Sequence, residues 1–284
     1  MDYIPCKDRV FPLWLAPEYA EFYSTYLYWF KHLLERLGHQ PTLKIWQTAL
    51  HDYDEQLLKE ILSTGWQEVE DEDSFDAQAE IDAALSEIFP GAVEGVSGEA
   101  ARQIIDSTPP FAQINERFPS LDVMREISTY QALHLLFDGL ALLTETLIDL
   151  HGKQGELIAY DAMMARWAER QPITVPVSKF MAQRATRFST EPDEADMFSA
   201  GLEVEFVRAS ETEVVTQVKE CEWARYYQEH HPRVGYMLAC SLDNAAYKSF
   251  NQRIRLQRTR TLMEGGEICD FKVYALDEVS AAED

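Results

Sequence analysis

Apolar positions keep helical spacing from residue 17 to about residue 190. Pro17 stands at a first helical position, and residues 18–37 carry a dense aromatic stripe that includes Tyr19, Tyr23, Tyr26, Trp29 and Phe30 before Gly38 stops it. The same spacing predicts helices over 42–62 and 71–89. A short helix opens at Ser97 and ends before Pro109-Pro110. Ser120 is positioned to cap the longest helix, over 121–150, and another covers 155–170. Helices this apolar need partners, which predicts a helical bundle with the aromatic stripe in its core or a subunit interface.

Near residue 200 the period shortens to two. Residues 202–207 and 213–218 alternate apolar and polar, as half-buried strands of a hairpin do. Two helices follow, over 221–231 and 233–250, parted by Pro232, and then two strands, over 253–262 and 267–276. The fold class is therefore α+β: an N-terminal helical bundle followed by a compact ββααββ unit. The proline-rich and hydroxyl-rich stretch 171–200 sets the expected division at 1–195 and 196–284.

Composition narrows the partners. The 284 residues are 46% hydrophobic and carry a formal charge of −24, which repels nucleic-acid phosphates and anionic membrane surfaces. The greasiest stretch, 132–150, is interrupted by His134, Asp138, Glu145 and Asp149, so it reads as a buried helix and not as a membrane span. No basic and apolar leader opens the chain, and four cysteines are too few for a secreted disulfide framework, so the expected compartment is the cytoplasm. Between Lys219 and Tyr274 nine lysines and arginines face seven acids, a nearly neutral patch where a small anion can bind.

Glycine-rich nucleotide loops, zinc-protease motifs and serine elbows are all absent, and no nucleotide cofactor is expected. His230-His231 reads as a helix end, because adjacent helical residues diverge too far to ligate one metal. The informative cluster is three cysteines within 49 residues: Cys221 at a helix start, Cys240 within a helix and Cys269 on a strand. The helix dipole favours a thiolate at Cys221. Cys240 and Asp243 share a helix face beside Tyr236 and Tyr247, as a nucleophile with its orienting group or as two ligands of one metal. Against both stands the inert, buried thiol. An unbroken strand over 253–262 would put Arg258 and Arg260 on its apolar face, where they need an anion or an acidic partner such as Glu264 or Asp270.

These residues, in this order, carry a resemblance. Val218-Lys219-Glu220-Cys221-Glu222-Trp223-Ala224, Leu238-Ala239-Cys240-Ser241-Leu242-Asp243, Phe250-Asn251, Arg258-Thr259-Arg260-Thr261 and Cys269-Asp270-Phe271 are similar to the signature of the L-2-amino-thiazoline-4-carboxylic acid hydrolase family. The resemblance covers about a fifth of the chain. It implies hydrolysis of a non-peptide C–N bond in a small cyclic amidine-like or amide-like substrate that bears a carboxylate. It also implies site roles: Cys240 as nucleophile or metal ligand, Asp243 as base or orienting group, and Cys221 and Cys269 completing the cluster. Arg258 would clamp the carboxylate, with Asn251 and Thr261 as hydrogen-bond donors. The cofactor expectation is none or a single divalent metal, zinc being the ion that three cysteines with Asp243, His230 or His231 would suit. A homo-oligomer is compatible with all of this. The strand ending is also similar to the vinyl-reductase-type small-molecule-binding domain, which makes a non-catalytic binding or sensor protein the alternative.

Overall fold

The aromatic stripe becomes the central helix of the first of two units. After strand β1 (Val10–Trp14), helix α1 (Leu15–Leu37) buries Tyr23, Tyr26, Trp29 and Phe30 almost completely. Trp46 of α2 (His39–His51) meets Tyr26 and Phe30 edge to face, with ring centroids 5.8 and 5.1 Å away. These are the T-shaped contacts that ring quadrupoles favour. The stripe is core, and Gly38, at φ +81°, ends the helix with its N–H on the Leu34 carbonyl.

Three predicted boundaries give way to local chemistry. The single helix expected over 42–62 is two, α2 and α3 (Glu55–Ser63), because Asp54 turns its carboxylate onto the N–H groups of Gln56 and Leu57 and starts a new helix. After β2 (Gln67–Glu68), helix α4 (Ala77–Ile88) begins at an Asp76 cap, and the predicted start at 71–74 lies outside the described residues. Ser97 opens α5 (Gly98–Asp106) as expected, and α6 (Phe111–Arg117) follows. The helix expected over 121–150 instead begins as strand β3 (Val123–Ser128) and continues as α7 (Thr129–His151). Leu121 takes a left-handed φ of 61°, which breaks any helical start at Ser120. Val123 and Ile127 then point inward while Met124 and Glu126 point outward. The three strands form one small sheet, ordered β1-β3-β2.

Helix α8 (Lys153–Glu169) follows a left-handed Gly152. The structure, a computed structural model, describes residues 5–51, 53–69, 75–169, 175–186 and 197–276. One unit comprises 12–127 with 131–163, and the other 1–11, 128–130 and 164–284. No helix of the described residues is long and apolar enough to cross a membrane. In α7 the buried His134 and Asp138 face each other at 3.7 Å, one helical turn apart.

The second unit adds α9 (Val177–Thr186) and a short α10 (Met197–Ala200) to the predicted ββααββ order. Strands β4 (Leu202–Ala209) and β5 (Glu213–Cys221) form the hairpin, followed by α11 (Glu222–His230), α12 (Asp243–Phe250), β6 (Ile254–Gln257) and β7 (Cys269–Ala275). The antiparallel sheet runs β4-β5-β7-β6. Val214, Thr216 and Val218 of β5 sit opposite Val273, Phe271 and Cys269 of β7, so all six share one face. Phe180 and Met181 of α9 pack there with Val214, Tyr247, Ile254 and Val273.

Two expectations fail in this unit for reasons that bear on the site. The helix predicted over 233–250 is divided: Tyr236–Cys240 winds as a π-helix, closed by the Ser241 N–H on the Tyr236 carbonyl, and α12 starts afresh at Asp243. The strand predicted over 253–262 ends at Gln257. Asp270 accepts the N–H groups of Thr259 and Arg260 at 2.9 and 2.7 Å and pulls the backbone out of the ladder.

Candidate active site

Five of the predicted site residues converge on the inner face of this sheet. Cys221 ends β5 and caps α11, its Sγ accepting the Ala224 N–H at 3.4 Å. Cys240 is the last residue of the π-helix and Asp243 the first of α12. Cys269 opens β7, and its Sγ accepts the Leu262 N–H at 3.1 Å. Their charges are felt mutually: Cys221 responds to Cys269 and Asp243, and Cys240 to Arg258, Asp243, Cys221 and Cys269.

The π-helix explains how Cys240 comes to sit there. One extra residue per turn shifts the register between Gly235 and Ser241, so Cys240 and Asp243 meet across a break and not along one continuous helix face. Gly235 makes the turn fit, since a Cβ at that position would lie 2.5 Å from Tyr227 Cβ and 2.8 Å from Met263 Sδ.

Arg258 is the hub. Where β6 stops, its side chain turns inward and is only 8% exposed. Its Nη1 donates to Asp243 Oδ2 at 2.5 Å and its Nη2 to the Cys240 carbonyl at 2.8 Å. The guanidinium also lies over Phe271 at 5.1 Å and over Tyr236 at 6.0 Å. The acid that meets it is therefore Asp243, neither Glu264 nor Asp270. Arg260, expected on the same face, is exposed.

Burial governs the electrostatics. It pushes the Cys221 thiol up to about 12, against the pull of the Ala224 N–H. The thiolate expected there from the helix dipole is outweighed by desolvation. Burial also raises Cys240, with Arg258 opposing, and Cys269, with the Leu262 N–H opposing. Asp243 rises above the usual carboxylate range for the same reason, and the guanidiniums of Arg258 and Arg184 offset only part of the cost. Burial disfavours the Arg258 charge, but Asp243 and Cys240 outweigh it, so the guanidinium stays protonated. The site at neutral pH is thus three neutral thiols beside a carboxyl that accepts protons more readily than a free aspartate.

The remaining predicted residues have structural partners. The Asn251 amide donates to the Val175 carbonyl at 2.9 Å and its Oδ1 accepts the Arg253 N–H at 2.8 Å. Thr261 is buried, accepts the Glu264 N–H and donates to Glu264 Oε2, closing a turn of 3-10 helix. His230 is exposed and stacks near Tyr130, whose hydroxyl bonds His230 Nε2 and Glu229; His231 is buried at the end of α11. Among the described residues no group of three or more His, Cys, Asp or Glu is arranged to hold a metal ion. The three thiols and Asp243 thus share a neighbourhood without forming a ligand set.

Arg184 was not singled out from sequence. It rises from α9 over the rings of Tyr247 and Phe271, at 5.5 and 5.9 Å, and its charge reaches Asp243. The signal was there in the spacing of Phe180, Met181 and Arg184, one apolar edge and one cation on successive turns, inside a stretch whose prolines read as a connection.

Comparison with known proteins agrees with the motif reading. The profile of a family described as L-2-amino-thiazoline-4-carboxylic acid hydrolase matches residues 130–273, just over half of the chain and all five converging residues. No curated protein and no solved structure gives a match.

Proposed function

This chain belongs to the L-2-amino-thiazoline-4-carboxylic acid hydrolase family, a family of hydrolases by name, and from that premise we propose that it hydrolyses a small, carboxylate-bearing cyclic amidine or amide at a non-peptide C–N centre. The observation that carries this reading is the convergence of Cys240, Asp243 and Arg258, flanked by Cys221 and Cys269, inside the matched region.

The chemistry uses these residues in sequence. Asp243 takes the proton of the Cys240 thiol as Sγ adds to the amidine carbon, a role that its raised proton affinity suits. In a 2-amino-thiazoline the ring C–S bond then breaks and the departing sulfur takes that proton, leaving an isothiourea on Cys240. Water adds to the same carbon, Cys240 leaves as the thiol, and a carbamoyl-cysteine departs. With an amide-like ring the bond that breaks is C–N and the leaving atom is nitrogen. Arg258, engaged with Asp243 and the Cys240 carbonyl, is a positioning residue as well as the nearest cation for a substrate carboxylate, and Arg184 adds a second.

One observation favours the non-catalytic alternative: all three thiols are raised by burial, as in inert cysteines. The test is product analysis with L-2-amino-thiazoline-4-carboxylate and purified full-length protein. Catalytic release of a thiol in excess of the protein's own four cysteines supports the hydrolase. Release of ammonia without thiol assigns the same site to C–N cleavage. Neither product, from folded protein that nonetheless binds the compound, supports the binding or sensor reading.

A further inference from the structure

The charges of two arginines among the described residues reach Asp243, and the nearer one is the less available. Arg258 commits Nη1 to Asp243 Oδ2 and Nη2 to the Cys240 carbonyl, and the rings of Phe271 and Tyr236 lie against its guanidinium. Its side chain is 8% exposed, whereas that of Asp243 is 32% exposed. Solvent therefore reaches the site over Asp243. A carboxylate that took the terminal nitrogens of Arg258 would displace Asp243 or the Cys240 carbonyl, and either exchange breaks the bridge between the π-helix and α12.

Arg184 is delivered by α9. Phe180 and Met181 bury one face of that helix in the core of the sheet unit, and Arg184, four and three residues later, continues the same face. The Phe180 ring meets those of Tyr247 and Phe250 at 6.0 and 5.3 Å. The run into the helix is tied as well: the Val175 N–H donates to the Phe250 carbonyl at 3.2 Å, and the Val175 carbonyl accepts the Asn251 amide at 2.9 Å. Arg184 thus stands on an anchored helix and is itself half-buried, its guanidinium over Tyr247 and over Phe271, the ring that it shares with Arg258.

We propose that Arg184 is the residue that binds the substrate carboxylate and selects for it, while Arg258 holds Cys240 and Asp243 in place. The inference deepens the reading above and rests on its carboxylate-bearing substrate. Arginine combines the two contacts required at this position, a face that packs on rings and a fork of N–H donors that matches a carboxylate bidentately. The division of labour leaves the Arg258 bridge intact when substrate binds. It also gives Asn251 a place in the site: this residue anchors the run that carries Arg184.

The test compares L-2-amino-thiazoline-4-carboxylate with 2-amino-2-thiazoline, which lacks only the carboxylate, on the full wild-type chain and on Arg184→Gln. Affinity is read as KM where turnover occurs and as a calorimetric Kd where it does not. The wild-type chain is expected to favour the carboxylate compound by at least about tenfold, and Arg184→Gln to remove that preference while binding 2-amino-2-thiazoline as before. A thermal melt checks the fold. Should Arg184→Gln fail to fold, Arg184→Lys, which keeps the charge and loses the fork, is expected to narrow the preference several-fold. Discrimination of this kind without any turnover supports the assignment and counts against the reaction alone. A preference that survives these substitutions overturns the assignment, as does a wild-type chain that binds the two compounds equally or binds neither.

Discussion

The two units of this protein use burial for opposite ends. In the helical unit burial falls chiefly on rings: Tyr26 and Phe30 meet Trp46 at 5.8 and 5.1 Å, Trp29 is buried with them, and the polar pair His134 and Asp138 is buried as well. In the sheet unit burial falls on chemistry, with three thiols, a carboxyl and a guanidinium drawn onto the face of four strands. The first arrangement stabilises chiefly by area. The second places reactive groups where desolvation raises both the thiols and Asp243, and it holds together because Arg258 bridges the π-helix to α12. The comparison teaches that the site is a packed network, whose members cannot be removed singly without cost.

The strongest way to break that contrast is to remove the bridge. Arg258→Met leaves the Asp243 carboxylate and the Cys240 carbonyl without their donors, and a loss of about 2–4 kcal/mol in denaturant unfolding is expected. Adding Asp243→Asn to the same chain recovers part of that loss; strictly additive effects in the double-mutant cycle would contradict a coupled pair.

A smaller effect is expected from Gly235→Ala. The added methyl meets Tyr227 and Met263, which costs about 1–3 kcal/mol by overpacking and misplaces Cys240. Turnover should fall more steeply than thermal stability does. Equal retention of both would show that the π-helix tolerates a side chain there.

The smallest effect is one of pH. Folding raises the Cys221 thiol from 9.0 to about 12, so the folded state holds this proton more tightly than the unfolded chain. Its contribution to stability is complete below pH 9 and is lost as the pH rises from there toward about 12. Iodoacetamide labelling of Cys221, followed by peptide mass spectrometry, should therefore stay slow through pH 9 and accelerate above it. Fast labelling at neutral pH would mean a thiolate, and hence an open site.

Much of this was legible in the sequence, and the exceptions share a cause. The alternation in 202–207 and 213–218 gave the hairpin, and the ring spacing in 18–37 gave the helical core, because both patterns report burial directly. The cysteines, Asp243 and Arg258 could be selected from motif order. Side chains that re-route the backbone were not legible: Asp54 dividing a helix, Asp270 ending a strand, and the π-helix that aligns Cys240. Each depends on one hydrogen bond or one tight contact that periodicity does not record. Cys221 lies at the end of β5, opposite Leu202 of β4, and burial there reversed the thiolate expected from the helix dipole.

The proposed role of Cys240 is nucleophilic attack on the substrate. Its most direct test is turnover of L-2-amino-thiazoline-4-carboxylate by Cys240→Ala beside the wild-type chain, with thermal melts of both. A fall of at least about a thousandfold in an intact fold is expected. A Cys240→Ala protein that releases product at close to the wild-type rate would contradict it.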